Sequence, residues 1–109
     1  MSLNFFIKQN DTSPSLRATL TGSDGSAINL NNATVGFKMG PISGGALTVS
    51  AAADIFDPSE GVIEYLWTEE DTSEAGGYRA EIEVTYSDGK VETFPNSEFI
   101  RVEITPDIG

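Results

Sequence analysis

Apolar residues recur at every second position in several short runs of this chain. The clearest run is Tyr78, Ala80, Ile82, Val84 and Tyr86, with Arg79, Glu81, Glu83 and Thr85 between them. Successive side chains on a strand point to opposite faces, so this run predicts a half-buried β-strand over 78–86. On a helix the same apolar residues would be spread around the axis, and β-branched and aromatic side chains favour the pleated surface. Asp88-Gly89 then supplies a turn that tolerates positive φ, and Val91 to Phe94 returns as the partner strand.

The same alternation appears in weaker form along the rest of the chain. Leu3, Phe5 and Ile7 predict a strand at about 3–9, with Phe6 on its outer face. Leu16, Ala18 and Leu20 mark a second strand, followed by a short return through Ala27, Ile28 and Leu30. Val35, Phe37 and Met39 mark a third, and Leu47, Val49 and Ala51 a weaker one. The segment from Asp54 to Glu60 reads as a turn around Asp57-Pro58. In Gly61 to Trp67 the inward set is Ile63, Tyr65 and Trp67, which leaves Val62 and Leu66 in need of cover. Thr68 with Asp71 three residues later resembles a helix start and predicts one short helical turn near 69–74. Ile100, Val102 and Ile104 form the last strand. Short strands at near-even spacing with turn signals between them describe an all-β protein, an immunoglobulin-like antiparallel β-sandwich of about 7–9 strands. No linker or internal repeat divides it, so residues 1–109 read as a single domain.

Asp71, Gly76 and Tyr78 have the order of a tyrosine corner, in which a phenol ties the inter-sheet connection to the strand that it opens. Antibody-type domains place a disulfide cysteine two residues after that tyrosine. Here the position is Ala80, and the chain contains no cysteine, which excludes the antibody subtype.

Composition removes whole classes of chemistry. With neither cysteine nor histidine, disulfide scaffolds, zinc fingers and histidine-based nucleophilic or general-base catalysis are excluded. No stretch is long and apolar enough to span a bilayer, and the N-terminus lacks the layout of a signal peptide. The net charge is −11, and it is uneven along the chain. Residues 1–53 hold Asp11 and Asp24 against Lys8, Arg17 and Lys38, a net of +1, while residues 54–109 net −12. Such a field repels phosphate, so nucleic acid and anionic membranes are poor partners; the acidic half is either a solvated surface that serves solubility or a patch that meets a basic partner.

The acids invite a catalytic or calcium reading. Glu69, Glu70 and Asp71 are adjacent in a turn-rich segment and do not meet the opposed geometry of a glycosidase pair. Asp54, Asp57, Glu69, Glu70 and Asp71 could supply calcium oxygens from one end of a sandwich, but no spaced acidic loop is present. The chain therefore reads as a non-enzyme with no cofactor, no catalytic residue and no metal ligand. Trp67, Tyr65, Tyr78 and Tyr86 fall on core positions rather than on a sugar-binding platform. Candidate contact residues are Phe6 and Phe99, together with Pro41, Ile42, Gly44 and Gly45 in the flexible Gly40–Gly45 loop.

Phe6-Ile7-Lys8-Gln9-Asn10-Asp11-Thr12-Ser13-Pro14 resembles the opening strand and turn of a known phage family. Leu16 to Leu20, Asp24-Gly25 and the run from Ile28 to Met39 resemble its next segment. Gly61 to Trp67, Asp71-Thr72, Gly77-Tyr78-Arg79-Ala80-Glu81, Tyr86 to Gly89 and Thr93-Phe94-Pro95 continue the pattern. From about Phe5 to Ile104 the chain is similar to the N-terminal domain of the baseplate upper protein of siphophages, found also in prophage tail genes. The resemblance implies a non-enzymatic tail or baseplate protein, made in the host cytoplasm without a signal peptide and incorporated into the virion. It also implies docking to other tail proteins, and rings or trimers would suit tail symmetry. Longer members continue into a region that holds receptor-binding proteins, so docking to the tail core is the inference that this chain carries. The alternative from a different class is an extracellular β-sandwich module that binds carbohydrate or cell-wall polymer.

Overall fold

The computed structural model describes residues 3–108, so Met1, Ser2 and Gly109 lie outside the described residues, the first two being part of the signal-peptide reading. Nine strands follow one another: β1 (Leu3–Lys8), β2 (Leu16–Thr19), β3 (Thr34–Pro41), β4 (Val49–Ala52), β5 (Asp54–Asp57), β6 (Val62–Tyr65), β7 (Gly76–Thr85), β8 (Val91–Phe94) and β9 (Ile100–Thr105). They pack as two sheets, as expected for a β-sandwich.

β7 is the spine of the larger, six-stranded sheet, whose order is β1-β9-β7-β3-β4. Along one edge β7 pairs with β3, from Thr34↔Thr85 to Pro41↔Tyr78. Along the other it pairs first with β9, from Gly76↔Ile104 to Ala80↔Ile100, and then with β8, from Ile82↔Phe94 to Thr85↔Val91. β1 lies parallel to β9 at the margin. The smaller sheet has the order β2-β6-β5.

The core fills the space between the sheets. Phe37 on β3 stacks on Tyr65 at 4.2 Å between ring centroids, and Trp67 meets both edge-on at 5.5 and 5.2 Å. Phe5 closes the cluster, stacked on Trp67 at 5.7 Å. Each buried aromatic contributes about 2–3 kcal/mol through area removed from water, with a further increment for ring geometry. Ile63, Tyr65 and Trp67 are all buried, while Leu66 is 57% exposed and so receives no cover.

Asp54–Asp57 is strand β5 rather than a turn, and the turn comes after it. Asp57 accepts from Ser59 Oγ at 3.1 Å and from the Glu60 amide at 3.3 Å, an Asx-type turn that leads into β6. The segment 69–74 makes successive turns and no helix. Thr68 and Asp71 do bond reciprocally as a cap would, through Thr68 N–Asp71 Oδ2 at 3.0 Å and Asp71 N–Thr68 Oγ1 at 3.3 Å. The chain is then drawn away from helical geometry. Thr72 is fully buried and donates to the Asp11 carbonyl at 2.9 Å, and the Asn10 amide donates to the Thr72 carbonyl at 2.9 Å.

All three tyrosines are anchored by their hydroxyls. Tyr78 donates to the Glu74 carbonyl at 2.7 Å, the backward bond that defines a tyrosine corner. Gly76, at φ +148°, lets the chain swing into β7 between them. Asp71 stands outside that bond and accepts instead from Tyr65 at 2.6 Å. Tyr86 donates to Glu92 Oε1 at 2.8 Å. Burial, reinforced by the nearby carboxylate, raises the pKa of Tyr65 and of Tyr78, and pushes Tyr86 up to about 12.

Gly61 sits at φ +70°, and a Cβ there would lie 2.7 Å from the Leu20 carbonyl oxygen and 2.8 Å from that of Ile28. Gly61→Ala should therefore lower stability in urea denaturation by about 3 kcal/mol or more. Gly25→Ala, at φ +85° with open space around it, should cost only about 1 kcal/mol. Tyr78→Phe should lower stability by about 1–2 kcal/mol by leaving the Glu74 carbonyl unpaired. Each phenol keeps its proton above the unfolded value of about 10, so its contribution is present below about pH 10 and is lost as pH rises through the folded values. A phenolate absorbance titration should show little ionisation at pH 10 while the fold persists, and half-ionised tyrosine there would contradict the anchoring.

Candidate functional site

The register across the larger sheet defines its outer face row by row. Phe6 on β1 lies beside Glu103 on β9, which pairs with Gly77 on β7, and the Ile42 amide donates to the Gly77 carbonyl at 3.0 Å. In the next row Arg101 pairs with Arg79, and Arg79 with Gly40. Leu47 folds over Gly40, because a Cβ on that glycine would meet the Leu47 backbone and Cδ2 at 3.5 Å. Phe99, one residue before β9, falls beside Glu81, which pairs with Lys38 and through it with Ser50. Glu83 then pairs with Gly36, which pairs with Ala52.

Three candidate contact residues therefore share one face. Phe6 is 65% exposed there, and Ile42 and Phe99 are each 37% exposed. Lys38, Leu47, Arg79, Glu81 and Phe99 line a single depression of about 260 Å³ at the middle of the face. A second depression, of about 350 Å³, lies over the bare backbone of Gly36 between Thr34, Lys38, Ala52 and Glu83. Pro41 stands elsewhere: it ends β3 beside Tyr78 and is half-buried. Gly44 and Gly45 occupy the turn beyond it at φ +100° and +109°, a conformation that favours glycine. Leu47 and Val91 were not singled out in the sequence, yet both are exposed, and Val91 lies at the β8 end of this face.

Charge is distributed by face as well as by position along the chain. The outward strand positions of the large sheet carry Lys8, Lys38, Arg79 and Arg101 against Glu81, Glu83 and Glu103, a net of +1. The remaining two basic residues, Arg17 and Lys90, stand against fourteen acids, a net of −12. Two ion pairs lie on the face, Lys38–Glu83 at 3.2 Å and Arg101–Glu103 at 3.4 Å. Half-exposed pairs of this kind add little to stability.

The outer face of the small sheet is organised differently. Arg17 lies 3.8 Å above the Phe56 ring and 3.3 Å from Glu64, so much of its one exposed aromatic is already covered. The Ser15 hydroxyl donates to Glu64 at 2.6 Å and, with Arg17, holds that carboxyl below its ordinary pKa. Among the described residues no three acidic side chains are grouped as metal ligands would be. Two of the five acids considered for calcium have other work: Asp57 caps a turn, and Asp71 holds Tyr65 and Thr68.

Among curated proteins none matches the sequence. Among solved structures, the crystal structure of CopC from Methylosinus trichosporium OB3b is similar with a TM-score of 0.57 and 12% identity, covering 99% of this chain and 89% of that one. At that identity the likeness concerns the fold alone, a β-sandwich. The family model described as the BppU N-terminal domain matches residues 3–102, and the chain belongs to this family of phage baseplate upper protein N-terminal domains.

Proposed function

We propose that this protein is a non-enzymatic structural component of a phage or prophage tail that docks to other tail proteins through protein–protein contact. Membership of the baseplate family carries this reading. The outer face of the large sheet supports the protein-contact part of this reading, whether the partner is a second copy or another tail protein. Phe6, Ile42, Leu47 and Phe99 expose apolar surface on one sheet face, where scattered single residues would need no explanation. The acidic remainder, at −12, suits a second role in attracting basic surfaces during assembly. The exposed aromatic residues are phenylalanines, whereas Trp67 and Tyr78 are buried in the core and Tyr86 is packed against it. This favours a dry protein contact over a carbohydrate platform, which uses aromatics with a polar handle.

The reading predicts that mass spectrometry of purified particles from the source phage or induced prophage finds this chain in fixed low copy relative to the tail-tube protein. Its absence from intact particles, with recovery in the cell-envelope fraction and affinity for a glycan, would replace the tail reading by the carbohydrate-binding one.

A further inference from the structure

The outer face of the large sheet has the size, charge and relief of a self-complementary surface. Five strands at about 4.8 Å spacing, with β7 about 33 Å long, present on the order of 700 Å². A standard interface takes about 800 Å² from each partner. Along β7 the central outward pair is Arg79 followed by Glu81, and neither forms an ion pair within its own chain among the described residues. Opposite charges two positions apart on one strand match their own copy when that strand is reversed. In an isologous contact residue i meets j while j meets i.

We propose that this face closes on the same face of a second copy, with the two β7 strands antiparallel across a two-fold axis near Ala80. Arg79 of each copy then lies opposite Glu81 of the other. The same operation, read through the sheet register, places Arg101 opposite Phe99, a cation over an aromatic ring. It also places Ile42, which projects beyond Gly77, opposite the open depression over Gly36. On both halves Ile42 thus meets a recess. The parallel alternative would set Arg79 on Arg79 and is disfavoured by like charge. The near-neutral faces meet while the acidic remainder of each copy turns away. The acidic remainders face solvent on opposite sides of the pair, mostly further apart than the Debye length of about 8 Å at physiological salt, so their mutual repulsion is largely screened. This inference rests on reading the face as a protein contact surface and not on the tail assignment. It leaves the acidic surface free for other tail proteins.

The test is the mass of the purified chain by sedimentation equilibrium or light scattering, with Arg79→Glu, Glu81→Arg and the double exchange beside the wild type. The wild type should run at twice the 11.6 kDa of one chain at high micromolar concentration. Each single variant should weaken association by about tenfold or more, and the double exchange should restore it. Arg79 and Glu81 are exposed, and circular dichroism with a thermal melt verifies that each variant folds as the wild type does. A monomeric wild type under these conditions overturns the proposal. A dimer indifferent to the single exchanges places the interface elsewhere and overturns it too. Loss of the dimer that the double exchange fails to restore overturns the antiparallel register. A monomer found in virions would remove the dimer and leave the tail reading standing, whereas a dimer absent from virions would do the reverse.

Discussion

A central strand must give its backbone N–H and C=O groups to neighbours on both sides, and β7 does so along most of its length with three partners. β3 runs along one edge, and β9 and β8 divide the other between them. Once β7 is fixed in this way, its pleat decides everything at right angles to it. Ala80, Ile82 and Val84 are turned into the core, where they are almost wholly buried. Arg79, Glu81 and Glu83 are turned out in a row. A slip of one residue would exchange the two sets, burying three charges and exposing the apolar residues. The register of the large sheet, the floor of the core and the character of the outer face therefore share one cause.

That constraint also explains how much of the fold was legible in the sequence. β7 and β8, with the turn between them, could be read because alternation and the Asp88-Gly89 turn both act locally. β3 and β9 could be read for the same reason. β5 could not. Asp-Ile-Phe-Asp beside Pro58 has turn composition, and its strand character comes from pairing with β6 across a bulge, which is a tertiary gain. Residues 69–74 failed in the opposite direction. Thr68 and Asp71 have local capping chemistry, and it is satisfied, but Tyr65 and the Asp11 carbonyl draw on the same residues from afar. Local propensity decided where the turn begins and distant partners decided that it does not become a helix.

The candidate face was legible only in pieces. Phe6 was marked as outward by simple alternation, and Ile42 and Phe99 by their place in or beside loops. No spacing rule could show that they meet, since the residues come from three separate regions of the chain and only the pairing order β1-β9-β7-β3 brings them together. Leu47 was read as part of a weak strand, whereas it lies just before β4 and folds over Gly40. The glycine permits that approach, and a larger residue on β3 would have displaced the side chain. Its exposure is thus a property of a pair of positions and not of either one.

Charge shows the same difference between order along the chain and order in space. Counted by halves, the N-terminal part is nearly neutral and the C-terminal part strongly acidic. The fold cuts across this division, because β7 and β9 come from the acidic half and bring Arg79 and Arg101 beside Lys38 from the neutral one. Four of the six basic residues thereby collect on one face, in a protein that has few to place. A free surface gains little from such an arrangement, since exposed pairs add almost nothing to stability and dispersed charge serves solubility better. A face that must come close to another protein gains a great deal. Neutralising it locally removes the repulsion that a net charge of −11 would otherwise impose at contact, and it leaves the long-range acidic field to the surfaces that remain in water.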